Sequence, residues 1–249
     1  MTDSRFPTSC ADMERGTLEV DGRIARWWFT DRAGGESRSP YDAANIAAHV
    51  GDDPACVRAN RSRAEAAFGV GVWSWPGPVH GTAIAQLDGP CSLTPDVDAL
   101  TTTRTNVPLA TLGADCVPLL LAADGRIVAA HIGWRGFVDG MFDALTSLIT
   151  RDGAALHGVR VVLGPAICGT CYSVDDERAE RIAQVAPEAI VGTRGSFAAD
   201  LRVGIAAQWR SIGASVEMVG PCTFESARHF SHRRDGVTGR QAGVIAWTN

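Results

Sequence analysis

The sequence predicts an α+β chain of mixed α/β type, a single domain whose mixed β-sheets are flanked by helices. Three observations predict it. Two apolar runs, Val117–Ala123 and 127–132, are joined by Asp124-Gly125, a strong signal for a hairpin of buried strands. Downstream of them, helical and strand patterns alternate to the C-terminus, which adds crossovers to the hairpins. No internal repeat, low-complexity tract, long linker or break in composition divides the 249 residues. The domain is therefore read as 1–249, with 1–22 as a loosely ordered lead-in.

The elements follow in order. Residues 26–29 read as a strand, closed by the turn-rich Asp31-Arg32-Ala33-Gly34-Gly35. Asp53 and Pro54 open a helix running to about Phe68, with the aspartate as N-cap and the proline at the first helical position. Residues 82–87 alternate small or polar with apolar side chains, as a half-buried strand does. In the predicted hairpin Cys116 begins one strand and His131 ends its partner, so a short turn brings both to one end. Helices are expected over 137–150, over 173–185, where Ser173 opens the helix with Asp176 three residues on, and over 200–212. Strands are expected over 159–163, 216–219 and 242–247.

Composition narrows the function. Formal net charge is −5 and no long block of Lys or Arg appears, which argues against a nucleic-acid partner. No run approaches membrane-spanning length and the first residues lack an apolar signal core, so a soluble, cytoplasmic protein is expected. Seven scattered cysteines suit reduced thiols better than a disulfide framework.

Three segments each set one metal ligand beside glycine or at a turn. They are Gly77-Pro78-Val79-His80-Gly81, Gly113-Ala114-Asp115-Cys116-Val117-Pro118 and His131-Ile132-Gly133-Trp134-Arg135-Gly136. Two imidazoles and one thiolate leave a tetrahedral zinc one open position, as catalytic zinc requires. Each residue has a plainer reading: a histidine ending an apolar strand often only hydrogen-bonds in the core, and buried cysteine often packs as a small hydrophobe. The flanking glycines leave room for a ligand, and Asp115 could orient a histidine or meet substrate.

Copper also accepts two histidines and a cysteine, but a blue-copper centre normally wants an axial methionine, and none of the four lies near these segments in sequence. Six histidines without a His-x-His pair are too few for a multicopper cluster, so copper is the less favoured ion. Arg135, between Gly133 and Gly136, offers a planar fork for phosphate or carboxylate, while Arg234 beside Asp235 reads as a surface ion pair. Cys168-Gly169-Thr170-Cys171 is a C-x-x-C without a second pair, and reads as a turn with incidental cysteines.

Taken together these segments are identifiable. Gly34-Gly35 with Tyr41 and Asn45, His49-Val50-Gly51-Asp52, Val79-His80-Gly81, Ala114-Asp115-Cys116 with Pro118, and His131 to Gly136 are joined by Leu163-Gly164-Pro165-Ala166-Ile167, Cys171-Tyr172, Asp200-Leu201 and Cys222-Thr223. Phe230-Ser231-His232-Arg233-Arg234-Asp235 and Thr238-Gly239-Arg240 complete a pattern that resembles the YfiH family, also called the laccase-domain or polyphenol-oxidase-like family. The resemblance runs in order from about Arg26 to Trp247.

It implies a zinc site at His80, Cys116 and His131. It also implies purine nucleosides and inorganic phosphate as partners: phosphorolysis of adenosine, inosine, guanosine or 5′-methylthioadenosine, and deamination of adenosine. Carried over by position, Arg135 and Arg233 would hold the anion, Asp115 would move a proton or orient a ligand, and Asn45 and His232 would contact substrate. Two positions depart from the family pattern: Pro78 stands where glutamine is common and Glu36 where valine is. Neither removes a ligand. The zinc-deaminase signature of H-x-E and P-C-x-x-C is absent, so deamination would need a different acid/base. The alternatives are a metal-independent cysteine hydrolase using Cys116 and His131, a copper-dependent polyphenol oxidase, and a non-catalytic binding module. A monomer or homodimer is expected.

Overall fold

The structure is a computed structural model that describes residues 14–151, 153 and 155–248. Its centre is two stacked sheets. The first contains β1 (Arg15–Val20), β2 (Arg23–Phe29), β7 (Leu109–Gly113) and β14 (Gln241–Trp247), in the antiparallel order β1-β2-β14-β7. The second has the order β13-β10-β8-β9-β6-β4, from β4 (Ile84–Gln86), β6 (Ala99–Thr102), β8 (Val117–Ala123), β9 (Arg126–Ile132), β10 (Arg160–Leu163) and β13 (Ser215–Met218). Its outer pairs, β4 with β6 and β10 with β13, are parallel and its inner pairs antiparallel, while β3 (Pro76–Gly77) and β5 (Thr94–Pro95) form a short parallel pair of their own. The expected mixed α/β class is the one observed.

Period-two alternation builds the layers. Leu120, Ala122, Ile127, Ala129 and Val162 face the first sheet, where they meet Trp27, Phe29, Leu109, Ile245 and Trp247. Their neighbours Leu119, Leu121, Val128, Ala130, Val161 and Leu163 point the other way, against α3 (Met141–Arg151) and α5 (Leu201–Ser211). On the far side of the first sheet, Trp28, Val244 and Ala246 pack with Phe68 of α1 (Pro54–Phe68) and with Trp73 and Trp75. Among the described residues no helix is long and apolar enough to cross a membrane.

The helix at 54–68 starts as expected, with Asp53 accepting the Ala55 N–H at 2.8 Å and Pro54 at the first position. The β8–β9 hairpin forms around Gly125, whose φ of +65° the turn requires. Three expectations are corrected and one element was missed. Arg15–Val20, taken as part of a loose lead-in, is a strand paired with β2 through an Asp21-Gly22 turn, while residues 1–13 lie outside the described chain. The helix expected over 137–150 is broken into α2 (Trp134–Val138) and α3, because Gly140 turns the chain with φ +98°. The helix expected from Ser173 starts later, as α4 (Asp176–Val185), because Asp175 is its cap and accepts the Arg178 N–H. A hairpin of β11 (Ile190–Thr193) and β12 (Ser196–Ala199) was not anticipated at all.

The two sheets are pinned by one ring. Phe29 is 2 % exposed and lies against both Gly243 of β14 and Gly164 after β10, so close that neither glycine has room for a Cβ. A Cβ on Gly243 would sit 2.6 Å from Phe29 Cε1. Gly243→Ala should therefore destabilise the chain by about 1–3 kcal/mol through overpacking, read as a lower urea midpoint at unchanged slope. An unchanged midpoint would mean that the Phe29 ring can move aside.

Candidate metal centre and pocket

The hairpin register sets the first two ligands. Val117 is paired with Ile132 and Pro118 with His131, so Cys116 emerges beside the end of β9. The third comes from a tight turn before β4, in which His80 takes φ +64°. The ligand atoms of His80, Cys116 and His131 lie within 4.8 Å of one another, and the two imidazoles meet edge to face with centroids 4.8 Å apart. The glycines beside His131 make this approach possible. A Cβ on Gly133 would stand 2.9 Å from His80 Cδ2 and 3.2 Å from Cys116 Sγ, and one on Gly136 would meet the Gly81 carbonyl oxygen at 2.8 Å.

Sequence reasoning missed the residue that organises the trio. Asp98, with no exposed surface, precedes β6. Its carboxylate accepts three consecutive backbone N–H groups, from Val79 at 3.2 Å, His80 at 2.9 Å and Gly81 at 2.7 Å. It also accepts His131 Nδ1–H at 2.9 Å. Burial alone would raise the Asp98 carboxyl, but the hydrogen bonds from His131, Gly81 and Val79, with the His131 charge, hold it below the usual carboxylate value. Of the roles open to Asp115, orienting His131 falls instead to Asp98. The available signal was an aspartate directly before an apolar strand, a residue that can be buried there only if it is fully paired.

With Nδ1 taken by Asp98, His131 turns Nε2 toward Cys116. Burial would raise the Cys116 thiol, yet the His131 charge and hydrogen bonds from His131 and His80 bring it down to about 6. Burial likewise opposes charge on His131, but the Cys116 thiolate and Asp98 push it up to about 9. Both shifts favour the charged form of the pair, a thiolate beside an imidazolium. The donor set fits zinc: one thiolate, two imidazoles and a carboxylate holding the far nitrogen of one ring, which is the usual support of a metal-bound histidine.

His80 and Cys116 open into a cavity of about 380 Å³, a size suited to a small-molecule ligand. The cavity gathers most of the sequence candidates, being lined by His80, Cys116, Asp115, Arg135, His232 and Arg233. It also gathers Tyr172, Arg178 and Trp134, which sequence reasoning did not select for this role. Asp115, at φ +98°, accepts the Thr223 hydroxyl on one oxygen and the Arg233 backbone N–H on the other, both at 2.6 Å. The Arg233 guanidinium is anchored on Ser173, through its carbonyl and hydroxyl at 3.1 Å each, and lies 4.9 Å from the Tyr172 ring.

Arg135 lies over Trp134 at 5.4 Å, and among the described residues no carboxylate pairs with it. Arg178 stacks on the same ring at 4.5 Å. His232 donates its Nδ1–H to the Gly236 carbonyl at 2.7 Å, which leaves Nε2 as an acceptor in the neutral ring.

The candidate Asn45 belongs to the scaffold, as does Arg234. Asn45 has no exposed surface, and its amide bonds Ala47, Asp52 and the Arg240 N–H, so it fixes a loop and has no group left for substrate. Arg234 does pair with Asp235, but it also donates to the carbonyls of Thr223, Phe224, Ser226 and His229, which makes it the brace of the loop that carries Arg233.

In metal-free protein, alkylation of Cys116 should follow a titration midpoint near 6 rather than the ordinary thiol value near 8.5. The sign is that of a stabilised thiolate: reactivity stays high above the midpoint and falls as pH drops through it. His131→Ala should move the midpoint up. Peptide mass spectrometry of iodoacetamide-treated protein across pH reads this directly, and a midpoint near 8.5 in the wild type would refute the ion pair.

Residues 26–248 match the family described as multi-copper polyphenol oxidoreductase laccase. A purine nucleoside phosphorylase of Streptomyces griseus is 41% identical over 242 residues, covering 94% of this chain and 98% of the relative. One from Streptomyces coelicolor is 42% identical over 229 residues, covering 89% and 95%. The crystal structure of YlmD from Geobacillus stearothermophilus superposes with a TM-score of 0.83 at 31% identity, over 98% of this chain and 99% of that one. YfiH of Bacillus licheniformis gives 0.84 at 29%, over 89% and 92%. On this match over most of its length, the chain belongs to the multi-copper polyphenol oxidoreductase laccase family, the YfiH family that its motifs resemble.

Proposed function

We propose that this protein is a zinc-dependent purine nucleoside phosphorylase that also deaminates adenosine. One observation carries the reading: two members of a His-Cys-His donor set, His80 and Cys116, line one pocket with three arginines, Arg135, Arg178 and Arg233. The purine nucleoside phosphorylases among its relatives supply the substrate class.

In phosphorolysis a phosphate oxygen attacks the anomeric carbon, the bond to the purine nitrogen breaks, and the base leaves with the electron pair and takes up a proton. The arginines hold the phosphate; their planar forks suit its geometry and position it for attack. Asp115, fixed by Thr223 and by the backbone of Arg233, is the group placed to accept a ribose hydroxyl or carry a proton. Tyr172 and Trp134 provide flat walls for the base. His80, Cys116 and His131 would hold the zinc, which when bound supplies a Lewis acid for the deamination. His232 Nε2 and the Asp115 carboxylate are the proton carriers available for that reaction.

A cysteine hydrolase has one observation in its favour. Cys116, His131 and Asp98 are also a nucleophile, a base and a group that orients the base. His80, a second imidazole on the same sulfur, has no place in that scheme and an obvious one in a metal site. A copper oxidase is disfavoured because no methionine lines the pocket among the described residues.

Metal content separates these readings. Asp98→Asn cannot accept the full set of N–H donors, so it should weaken zinc binding at this centre about 10–100-fold, measured by competition with a chromogenic chelator. Undiminished affinity would remove Asp98 from the metal's support, and a wild-type chain whose trio holds no zinc would favour the hydrolase. The two purine reactions are separated by Arg135. Arg135→Ala should raise the phosphate KM or cut phosphorolysis by roughly a hundredfold while adenosine deamination falls less, and Arg135→Lys should recover only part of the loss. Inosine cleavage against phosphate, beside conversion of adenosine to inosine, gives both readouts. Equal loss of both activities would make Arg135 a structural support of the His131 turn.

A further inference from the structure

The C-x-x-C has a partner that no sequence spacing announces. Cys168, Cys171 and Cys222 bring their sulfur atoms within 4.8 Å of one another. All three are free thiols, Cys222 buried and the others half-buried. The backbone lays their segments side by side: Ala166 bridges Cys222 in parallel, and the Thr223 N–H donates to the Ala166 carbonyl at 3.1 Å.

The turn that carries Cys168 and Cys171 is built to hold its shape. The N–H groups of Cys171 and Tyr172 both donate to the Cys168 carbonyl, at 3.1 and 3.0 Å. Gly169 donates to Asp200, the cap of α5, at 3.1 Å, and a Cβ at Gly169 would stand 2.9 Å from Val191 Cγ2. Polar groups surround the sulfurs. The Cys168 N–H points at Cys222 Sγ at 3.3 Å, the Thr170 hydroxyl lies 3.1 Å from Cys168 Sγ, and Glu225 Oε1 lies 3.6 Å from Cys171 Sγ. The Cys171 S–H donates to the Glu225 carboxylate, an oxygen that a metal ion could share once that proton leaves.

We infer that Cys168, Cys171 and Cys222 form a second metal site, which takes a thiophilic d¹⁰ cation, zinc foremost, with Glu225 available as fourth ligand. Three sulfurs on a tetrahedral zinc, with bonds of about 2.3 Å, stand roughly 3.8 Å apart, so thiols already gathered within 4.8 Å need only a small contraction. Each thiol gives its proton to solvent as its sulfur–metal bond forms. The reading of these cysteines as incidental to a turn is replaced.

The ion would staple the two segments that back the pocket. Ile167, next to Cys168, donates its N–H to the Asp115 carbonyl at 3.0 Å, and Thr223, next to Cys222, holds the Asp115 carboxylate. Tyr172, next to Cys171, lines the pocket. A closed, four-ligand site at this point is of the structural kind. The inference does not depend on the proposed activity, because it concerns a different set of ligands.

The experiment uses the full chain, reduced, stripped with chelator, reloaded with zinc alone and desalted. Atomic spectroscopy should count about two zinc per chain in the wild type and about one in Cys168→Ser, in Cys171→Ser and in Cys116→Ser. Cobalt(II) then isolates the second site. In Cys116→Ser it should give the intense near-ultraviolet thiolate-to-cobalt band, and in Cys116→Ser/Cys171→Ser that band should vanish, with circular dichroism confirming that each variant is folded. Zinc content in Cys171→Ser equal to the wild type, no thiolate–cobalt band in Cys116→Ser, or a disulfide among the three cysteines in the freshly purified chain would each overturn the site. Loss of zinc confined to the His80 trio would count against the proposed activity's metal without touching this readout.

Discussion

Asp98 is a carboxylate with no exposed surface, and burying such a charge without partners costs several kcal/mol. Its partners are therefore obligatory, and they come from two places. Three successive N–H groups belong to the His80 turn, and one imidazole N–H belongs to the end of β9. One side chain thus sets the backbone that presents His80 and the ring orientation of His131. The positive φ at His80, unfavourable for a residue with a side chain, is held by those same N–H bonds. Cys116 needs no such clamp, because its place follows from the β8–β9 register.

The pocket wall has a similar economy of parts. Trp134 serves as a platform for Arg135, Arg178 and Arg181, at 5.4, 4.5 and 5.2 Å, so cations that would repel one another are each drawn to one ring face. Arg233 is restrained by Ser173 and by its own backbone bond to Asp115. Among the described lining residues Asp115 is the one carboxylate beside the guanidinium groups of Arg135, Arg178 and Arg233, a charge pattern suited to an anion beside a group that accepts hydrogen bonds. The thiol cluster behind it touches the same two segments, and so joins the pocket wall to the rest of the second sheet through Ala166 and Cys222.

Much of this was legible in the chain. Asp124-Gly125 between two apolar runs specified the hairpin, and the hairpin alone brings Cys116 beside His131. The Asp53-Pro54 cap and the alternation in 242–247 were equally local signals. Errors came where one local signal was weighed above another. Ser173 with Asp176 looked like a capping pair, but Asp175 is the cap, and the Ser173 hydroxyl is instead 3.1 Å from Arg233. Gly140 was absorbed into a helical pattern that its left-handed backbone breaks. Asn45 was chosen by motif position, and only its burial and four-way hydrogen bonding assign it to the scaffold.

By itself the sequence determined the fold class, the hairpin at its centre and the three candidate ligands that the fold brings together, because turn chemistry, periodicity and ligand type are properties of short stretches of chain. Tertiary structure alone decided that Asp98, not Asp115, orients His131 across 33 residues, that Arg178 and Tyr172 join Arg135 and Arg233 in one pocket, and that Cys222 meets a turn 54 residues away. Those are contacts between segments, and they follow from how the layers pack rather than from any residue's neighbours in sequence.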